Sequence, residues 1–161
     1  MAERDARARF RWQLAAIALV GFALRLTWIV VTRRHVHFAG DAGFYHDAAN
    51  LLADGRWFVS PLFPHRTVQA ADHPPLYTIW LAIPSVLGLR SQLDHLVWSA
   101  VLGTGSIALV GLTGREIGGP RLGLVAALLA ALYPGMWIPD GSLMAETVAI
   151  FTTAGALLFA Y

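Results

Sequence analysis

The ionisable side chains best suited to chemistry lie in one stretch that follows the first long apolar segment. All six histidines fall between His35 and His95, and Asp41, Asp47, Asp54 and Asp72 lie among them. Asp41 opens a short segment whose apolar residues recur at helical spacing. A carboxylate there, just above an apolar layer, could have its pKa tuned for work as a general base. The alternative is that Asp41 caps the helix N-terminus.

A second group, Asp72-His73-Pro74-Pro75, places an acid and an imidazole directly before two prolines. The prolines stiffen the backbone, so both side chains are held at the start of the next segment. Together they could bind a divalent cation, with Asp72 as a ligand, or contact a phosphate. The pattern is equally typical of a proline-capped helix start with solvated neighbours. His35, His37, His46 and His65 could form a zinc site, but they are interpreted as solvated side chains of the loop.

Three further charged residues lie inside or beside apolar segments. Arg25 lies within the first of them, where burial of a cation is costly. It is therefore expected to face a partner or a polar cavity, unless its side chain extends to the interface. Asp140 and Glu146 stand near the start of the last apolar segment, where they could complement a helix dipole or take part in a site. Spacing alone leaves these alternatives open.

Composition predicts the setting in which these residues work. Hydrophobic residues make up 57% of the 161 residues and charged residues only 14%, against about 25% charged in soluble domains. This balance predicts an integral membrane protein. The net charge of +2, from twelve arginines and ten acids, is too small an excess for a nucleic-acid binder. The chain has no cysteine, which excludes disulfides, thiolate metal sites and a cysteine nucleophile.

The predicted fold class is all-α, with about four transmembrane helices and an outer loop that carries two amphipathic interfacial helices. Residues 12–32 would span about 31 Å as a helix, one bilayer core. Arginines rather than a cleavage site follow them, which favours a retained helix over a signal peptide. The predicted parts are a cytoplasmic tail at 1–11, unstructured or interfacial; transmembrane helices at 12–32, 96–113, 122–138 and 143–161; and an outer loop at 33–95 with interfacial helices at about 41–54 and 75–89.

Arginine counts near the membrane ends predict the orientation. Four arginines before residue 12 outweigh Arg33 and Arg34, which places the N-terminus in the cytoplasm. If residues 75–89 do not cross, a tight polar turn at 115–121 is also cytoplasmic and the acidic loops share the outer face. If they do cross, that turn lies outside and the acidic loops separate. The first topology obeys the charge rule better.

These motifs, in this order, resemble the N-terminal part of a C-type (GT-C) membrane glycosyltransferase. The similarity is to protein O-mannosyltransferases and aminoarabinose-transferase-like enzymes that use polyprenyl-phosphate sugars. It rests on FALRLTW in the first helix, on DHPPLY at residues 72–77 and on SLMAETVAIF at the last helix. It also rests on a D-x3-Y-x3-A-x2-L-x2-G pattern, matched by Asp41, Tyr45, Ala49, Leu52 and Gly55. Some members have lysine where this chain has His73.

The resemblance implies an enzyme of the cell membrane that moves a sugar from a polyprenyl-phosphate donor to an outer-face glycan, lipid or protein acceptor. Asp41 would be the general base. The other roles that it implies are contact with the donor phosphate or a divalent metal cation by Asp72, His73 and Arg25, and positioning of lipid and substrate by Tyr45, Tyr77, Asp140 and Glu146.

Members of this family have many more spanning helices than the four predicted here. The chain is therefore expected to be the N-terminal part of a longer enzyme and to be inactive alone. Two other functions are compatible with the residues. One is a non-catalytic membrane scaffold or accessory subunit, and the other is a fragment of a transporter with Arg25 on its ion pathway. Transporters place their polar residues and broken helices near the midplane, whereas the acids here cluster in loops.

Overall fold

The computed structural model describes residues 2–63, 66–70 and 73–161, and its regular structure there is helical apart from one isolated β-bridge between Val59 and Gln69. The all-α prediction is confirmed. The described part contains five α-helices: α1 (Ala2–Trp28), α2 (Gly40–Ala53), α3 (Pro75–Val86), α4 (Gln92–Leu132) and α5 (Glu146–Ala160). A π-helical turn, Ile29–Arg33, continues α1, and short 3₁₀ turns at Pro134–Met136 and Asp140–Ser142 lie between α4 and α5.

Helix α1 begins at Ala2, so the polar start of the chain is helical and not unstructured. The reason is tertiary packing. Phe10 is only 2% exposed and lies in an apolar cluster with Leu14 and Ile107. The Arg115 guanidinium stacks over the Phe10 ring, with its central carbon 4.8 Å from the ring centroid. The helix therefore extends well before the apolar run begins.

Helix α4 is a hairpin of two arms, residues 92–117 and 120–132. Gly118 and Gly119 have non-helical backbone angles, and Gly119 has φ +83°, a conformation that glycine adopts without strain. The arms pack closely, since a Cβ at Gly114 would lie 3.1 Å from the Ala126 Cβ. The tight turn predicted at 115–121 is thus confirmed.

Two helices of the described chain, Glu3–Arg33 and Gln92–Leu132, are long and apolar enough to cross a membrane. The predicted spans at 12–32 and 96–113 lie within them. The second arm of α4 would rise only about 20 Å and α5 about 22 Å, short of a bilayer core of about 30 Å. Pro134 ends the α4 arm early, because it disfavours helix in the residue before it. The segments at 122–138 and 143–161 therefore form shorter helices than predicted.

Helices α2 and α3 lie side by side, and both were expected from the sequence. The apolar face of α2 is buried against α3 and α4. Helix α3 buries one face, yet its opposite face exposes a stripe at helical spacing: Leu76, Ile79, Ile83 and Val86. It ends at Val86, and Gly88 has φ +86°. The apolar face of α2 is thus covered by protein, whereas α3 presents an apolar surface.

The long helices define two ends of the molecule. At one end, the Arg33 Nε donates to the Gly141 carbonyl oxygen over 2.8 Å, which joins the exit of α1 to the loop before α5. Helices α2 and α3 lie at this end, beside the start of α4. At the other end, Phe10 and Arg115 place the N-terminal part of α1 beside the α4 turn. Asp41 and Glu146 are therefore at the end opposite Arg115.

Cysteine labelling tests this arrangement in a membrane, because the chain has no cysteine of its own. Asp47→Cys on α2 and Glu116→Cys beside the α4 turn both replace exposed acids. An impermeant maleimide added outside is expected to label position 47 and to miss position 116 until the membrane is opened. Labelling of both positions from outside would contradict the placement of α2 and the α4 turn on opposite sides of the membrane.

Candidate functional site

A cleft of about 470 Å³ opens between α2, the start of α3 and the start of α5. It brings together residues that are far apart in the sequence, and two of them, Asp41 and Glu146, are carboxylates. Tyr45 and Tyr77 contribute aromatic rings. The full lining is Asp41, Tyr45, Pro74, Leu76, Tyr77, Met144, Ala145, Glu146, Val148 and Ala149.

Asp41 lies in the first turn of α2 and faces His73. The helix begins at Gly40 and is preceded by Ala39, so Asp41 is inside the helix and the predicted capping position is wrong by two residues. The Asp41 Oδ1 is 3.3 Å from the His73 Nε2, and the Asp41 side chain remains 64% exposed. A carboxylate in the first turn is favoured by the helix dipole. The result is an accessible acid that an imidazole orients.

His73 is held in place by stacking and by the prolines that follow it. Its ring stacks on Phe44 at a centroid distance of 3.9 Å and meets the edge of Tyr45 at 5.2 Å. Pro74 precedes α3 and Pro75 is its first residue, a position that suits proline because the missing N–H has no helical partner. The proline-capped helix start is thus present, and it fixes His73 beside Asp41.

Two tyrosines form the floor of the cleft. The Tyr45 and Tyr77 rings meet edge to face at 5.1 Å, and the Tyr77 hydroxyl hydrogen-bonds to the Ser99 hydroxyl on α4. Burial raises the pKa of Tyr45, and Asp41 and Glu146 raise it further. Burial also raises the pKa of Tyr77. Both phenols are therefore neutral donors at physiological pH. The negative charges of Asp41 and Glu146 both act on the Tyr45 hydroxyl. No pattern in the sequence indicates a role for Ser99.

Arg25 and Asp140 form a buried ion pair beneath the cleft. The Arg25 Nε donates to Asp140 Oδ2 over 2.8 Å, and its two terminal nitrogens donate to the carbonyl oxygens of Gly21 and Met136 over 3.1 and 3.2 Å. Thr147 donates to the other Asp140 oxygen over 2.9 Å. Burial raises the pKa of Asp140 to about 6 against the opposing effect of Arg25, so the carboxylate is ionised at neutral pH.

This pairing changes the roles expected for both residues. Arg25 is fully buried and its guanidinium is satisfied by protein groups, so it presents no donor to a phosphate in the cleft. Asp140 is only 1% exposed, so it supports Thr147 and the start of α5 rather than touching a substrate. The expectation that Arg25 faces a partner is fulfilled, and that partner is Asp140.

Glu146 connects the cleft to a larger apolar groove of about 710 Å³ between the two arms of α4 and α5. Glu146 and Ala149 line both spaces. From there the groove continues along α5 to Leu157 and along α4 to Ile117 and Leu122. An acidic cleft therefore opens at the end of a long apolar surface, a combination suited to a molecule with a polar head and a hydrocarbon chain.

The described residues do not contain a complete metal site. No group of three or more histidine, aspartate or glutamate side chains converges anywhere in residues 2–63, 66–70 and 73–161. Asp72, the metal ligand expected from the sequence, lies outside those residues. Asp41 and Glu146 are the two carboxylates that line the cleft.

A buried polar network behind the cleft was missed by the sequence reasoning. The Asn50 amide donates to the Arg90 carbonyl oxygen over 3.2 Å, so its oxygen faces Ser85 and accepts from the Ser85 hydroxyl over 2.9 Å. The His95 Nε2 therefore donates to the Ser85 hydroxyl oxygen over 2.8 Å. This leaves the His95 Nδ1 as an acceptor for the His46 Nδ1–H, 3.0 Å away. The network joins α2, α3 and α4.

His46 is expected to make the protein less stable in mild acid. Burial lowers the pKa of His46, and Asp47 opposes this shift. Because the unfolded chain then binds the proton more readily, the contribution to stability is complete above about pH 6.5 and is lost as the pH falls below it. The thermal midpoint in detergent should drop by several degrees from about pH 7.5 to about pH 5.5.

His46→Gln should weaken this pH dependence without abolishing it, because His95 of the same network remains buried, whereas His35→Gln, which replaces an exposed histidine, should leave it unchanged. An equal acid-induced drop in the wild type and in His46→Gln would show that other groups cause the effect.

Comparison with known proteins adds no assignment. No protein-family model, no curated protein and no solved structure matches this chain.

Proposed function

We propose that the protein is a membrane glycosyltransferase that moves a sugar from a polyprenyl-phosphate donor to an outer-face acceptor, with Asp41 as the general base. The observation that carries this proposal is the cleft itself. Asp41, His73, Tyr45, Tyr77 and Glu146, expected from the resemblance to act together, lie in or beside one space that adjoins an apolar groove.

Of the two carboxylates that line the cleft, Asp41 is the base because it combines access with orientation. Its side chain is exposed, lines the cleft and is bonded through Oδ1 to His73, which leaves Oδ2 to accept a proton. Asp140 is buried and paired with Arg25. Glu146 also lines the cleft, but it stands where the apolar groove begins and is better placed to orient a substrate.

The reaction step follows from this arrangement. Asp41 accepts the proton of the acceptor hydroxyl or amine as that oxygen or nitrogen attacks the anomeric carbon. A bond forms to the anomeric carbon, and the bond from that carbon to the phosphate oxygen breaks. The electron pair leaves with the polyprenyl phosphate. Proton transfer of this kind contributes about 10²–10⁴-fold to the rate.

The leaving phosphate must be placed away from the two carboxylates, since like charges would repel it. Arg33 is a cation that the fold holds in place at this end. Its guanidinium lies over the Trp28 and Phe38 rings, 5.5 and 5.2 Å from their centroids, and its Nε is bonded to the Gly141 carbonyl oxygen. Fixed donors of this kind stabilise developing negative charge.

The membrane setting is part of the proposal. Helix α1 and the first arm of α4 cross the bilayer, the N-terminus and the α4 turn lie in the cytoplasm, and the cleft opens on the outer face. The lipid-facing stripe of α3 then lies at the interface, as expected for an amphipathic helix. Arg25 lines neither the cleft nor the groove, which removes the main support for a transporter.

The direct test is transfer from a lipid donor. Membranes that contain the whole protein are incubated with polyprenyl-phosphate sugars labelled in the sugar, and transfer to endogenous acceptors is measured. Sugar transfer that depends on the protein supports the proposal. Absence of transfer for every sugar tested, with the protein correctly inserted, would favour the non-catalytic scaffold instead.

A further inference from the structure

Between α2 and α3 the chain forms a small antiparallel hairpin, here called the apolar hairpin and defined as residues 56–63 and 66–70. Three backbone bonds close it. The Ser60 N–H donates to the Val68 carbonyl oxygen over 2.8 Å, the Ala70 N–H donates to the Phe58 carbonyl oxygen over 2.8 Å, and the Arg66 N–H donates to the Phe63 carbonyl oxygen over 3.0 Å. Val59 and Gln69 form the bridge between them.

The base of the apolar hairpin is packed against the candidate site. A small, nearly enclosed space is lined by Phe58, Val59 and Ala70 of the hairpin together with Phe44 of α2 and His73. Val59 is 6% exposed and Ser60 is equally buried. The hairpin is thus attached to the ring system that holds His73 beside Asp41, and it does not extend freely from the fold.

Its outer part, by contrast, exposes large apolar side chains to an unusual degree. Trp57 is 62% exposed, Leu62 64% and Phe63 50%. A hairpin of this size that leaves a tryptophan, a leucine and a phenylalanine uncovered needs a partner, because exposed apolar clusters of this kind mark binding surfaces.

The charge of the segment indicates which partner. From Gly55 to Ala71 the sequence contains no acid, and Arg56 and Arg66 are both exposed. Aromatic residues beside arginines are typical of the membrane–water interface, and basic residues near a bilayer are attracted to anionic lipids. A protein partner would more often present charges of both signs, and a surface that binds it would then carry acidic as well as basic side chains.

We propose that the apolar hairpin inserts Leu62 and Phe63 into the headgroup layer of an anionic bilayer, with Arg56 and Arg66 at the lipid phosphates. This inference rests on the proposed membrane setting, but not on the proposed chemistry. The hairpin would then anchor the His73 side of the cleft at a fixed depth, beside the lipid-facing stripe of α3.

Depth-dependent quenching tests the proposal on the whole protein in vesicles. Leu62→Cys carries an environment-sensitive fluorophore, and Asp47→Cys, exposed on α2, serves as the matched control. A spin-labelled lipid with the label near the headgroup should quench the probe at 62 at least about twofold more than the probe at 47. Aqueous iodide should show the opposite order. Phe63→Cys repeats the measurement if position 62 labels poorly.

Vesicles with and without an anionic lipid separate the two parts of the proposal. Lipid quenching at 62 should increase when anionic lipid is present, and Arg56→Gln with Arg66→Gln should remove the increase. Quenching without that dependence would overturn the anionic preference. A probe at 62 as open to iodide as the control would overturn insertion, and protection from both iodide and lipid would assign the surface to a protein partner instead. None of these readouts requires sugar transfer, so failure here is distinguishable from failure of the proposed function.

Discussion

Asp41→Asn is expected to lower sugar transfer by about 10²-fold or more, because the amide keeps the shape of the carboxylate but cannot accept the acceptor proton. The change should leave folding nearly intact. Asp41 lies in the first turn of α2 and its side chain is 64% exposed, so the free energy of unfolding should change by no more than about 0.5 kcal/mol, as at most exposed positions. The measurement is kcat/KM for transfer from the lipid donor in membranes with equal amounts of protein.

Asp47→Asn is the matched control for this variant. Asp47 lies on the same helix, is exposed and does not line the cleft, so its replacement removes the same charge from α2 without removing the base. Transfer by Asp47→Asn should stay within a few-fold of the wild type. Equal losses in the two variants would mean that α2 needs negative charge in general, and wild-type transfer by Asp41→Asn would place the base elsewhere.

The sequence predicted the local features of this protein well, because their causes are local. Apolar periodicity from Asp41 to Asp54 corresponds to α2, which ends at Ala53 before Gly55 at φ +79°. Pro75 starts α3, and the glycines at 118 and 119 turn α4 back on itself. Each of these depends on residues a few positions apart, and their side-chain chemistry determines the result.

Residue spacing could not predict which residues far apart in the sequence pair with each other. The sequence predicts that Arg25 needs a partner and that Asp140 lies near a helix start. Nothing in either segment indicates that the two side chains form an ion pair with each other. The same holds for His46 and His95, which lie on different helices and are joined by a hydrogen bond between their rings. The helical start of α1 also depends on a distant contact, the stacking of Arg115 on Phe10.

The candidate site shows the same division between features that the sequence predicts and features that depend on tertiary structure. Five candidate site residues from the sequence analysis lie in or beside one cleft: Asp41, His73, Tyr45, Tyr77 and Glu146. Their roles depend on exposure, which the sequence does not report. Exposure separates Asp41, an accessible acid, from Asp140, an acid of the same type that serves only to hold Arg25 and Thr147.

Gly103→Ala is expected to cause a large loss of stability for the addition of a single methyl group. A Cβ at position 103 would lie 2.0 Å from Asp140 Oδ2 and 2.6 Å from its carboxyl carbon, so the carboxylate must leave its position. That oxygen is the one that accepts from Arg25 Nε. Breaking a buried ion pair costs about 3–5 kcal/mol, because a charge is left buried without its partner.

Gly155→Ala provides the control, since it adds the same methyl group to a helix that has room for it. The nearest atom to a Cβ there is a Leu109 methyl carbon at 3.9 Å, an ordinary contact. Alanine is favoured over glycine in a helix by about 1 kcal/mol, so Gly155→Ala should leave the protein as stable as the wild type or slightly more stable. Unfolding in detergent, followed by circular dichroism, compares the two variants.

The two alanine variants together separate the buried pair from general effects of glycine replacement. Gly103→Ala gains the same helix propensity as Gly155→Ala, so its loss must come from the displaced Asp140 carboxylate. Because Asp140 also accepts from Thr147 at the start of α5, the displacement should disturb Glu146 and lower sugar transfer as well as stability. Equal stability of Gly103→Ala and Gly155→Ala would show that Asp140 does not lie against α4, and the pairing with Arg25 would then have to be abandoned.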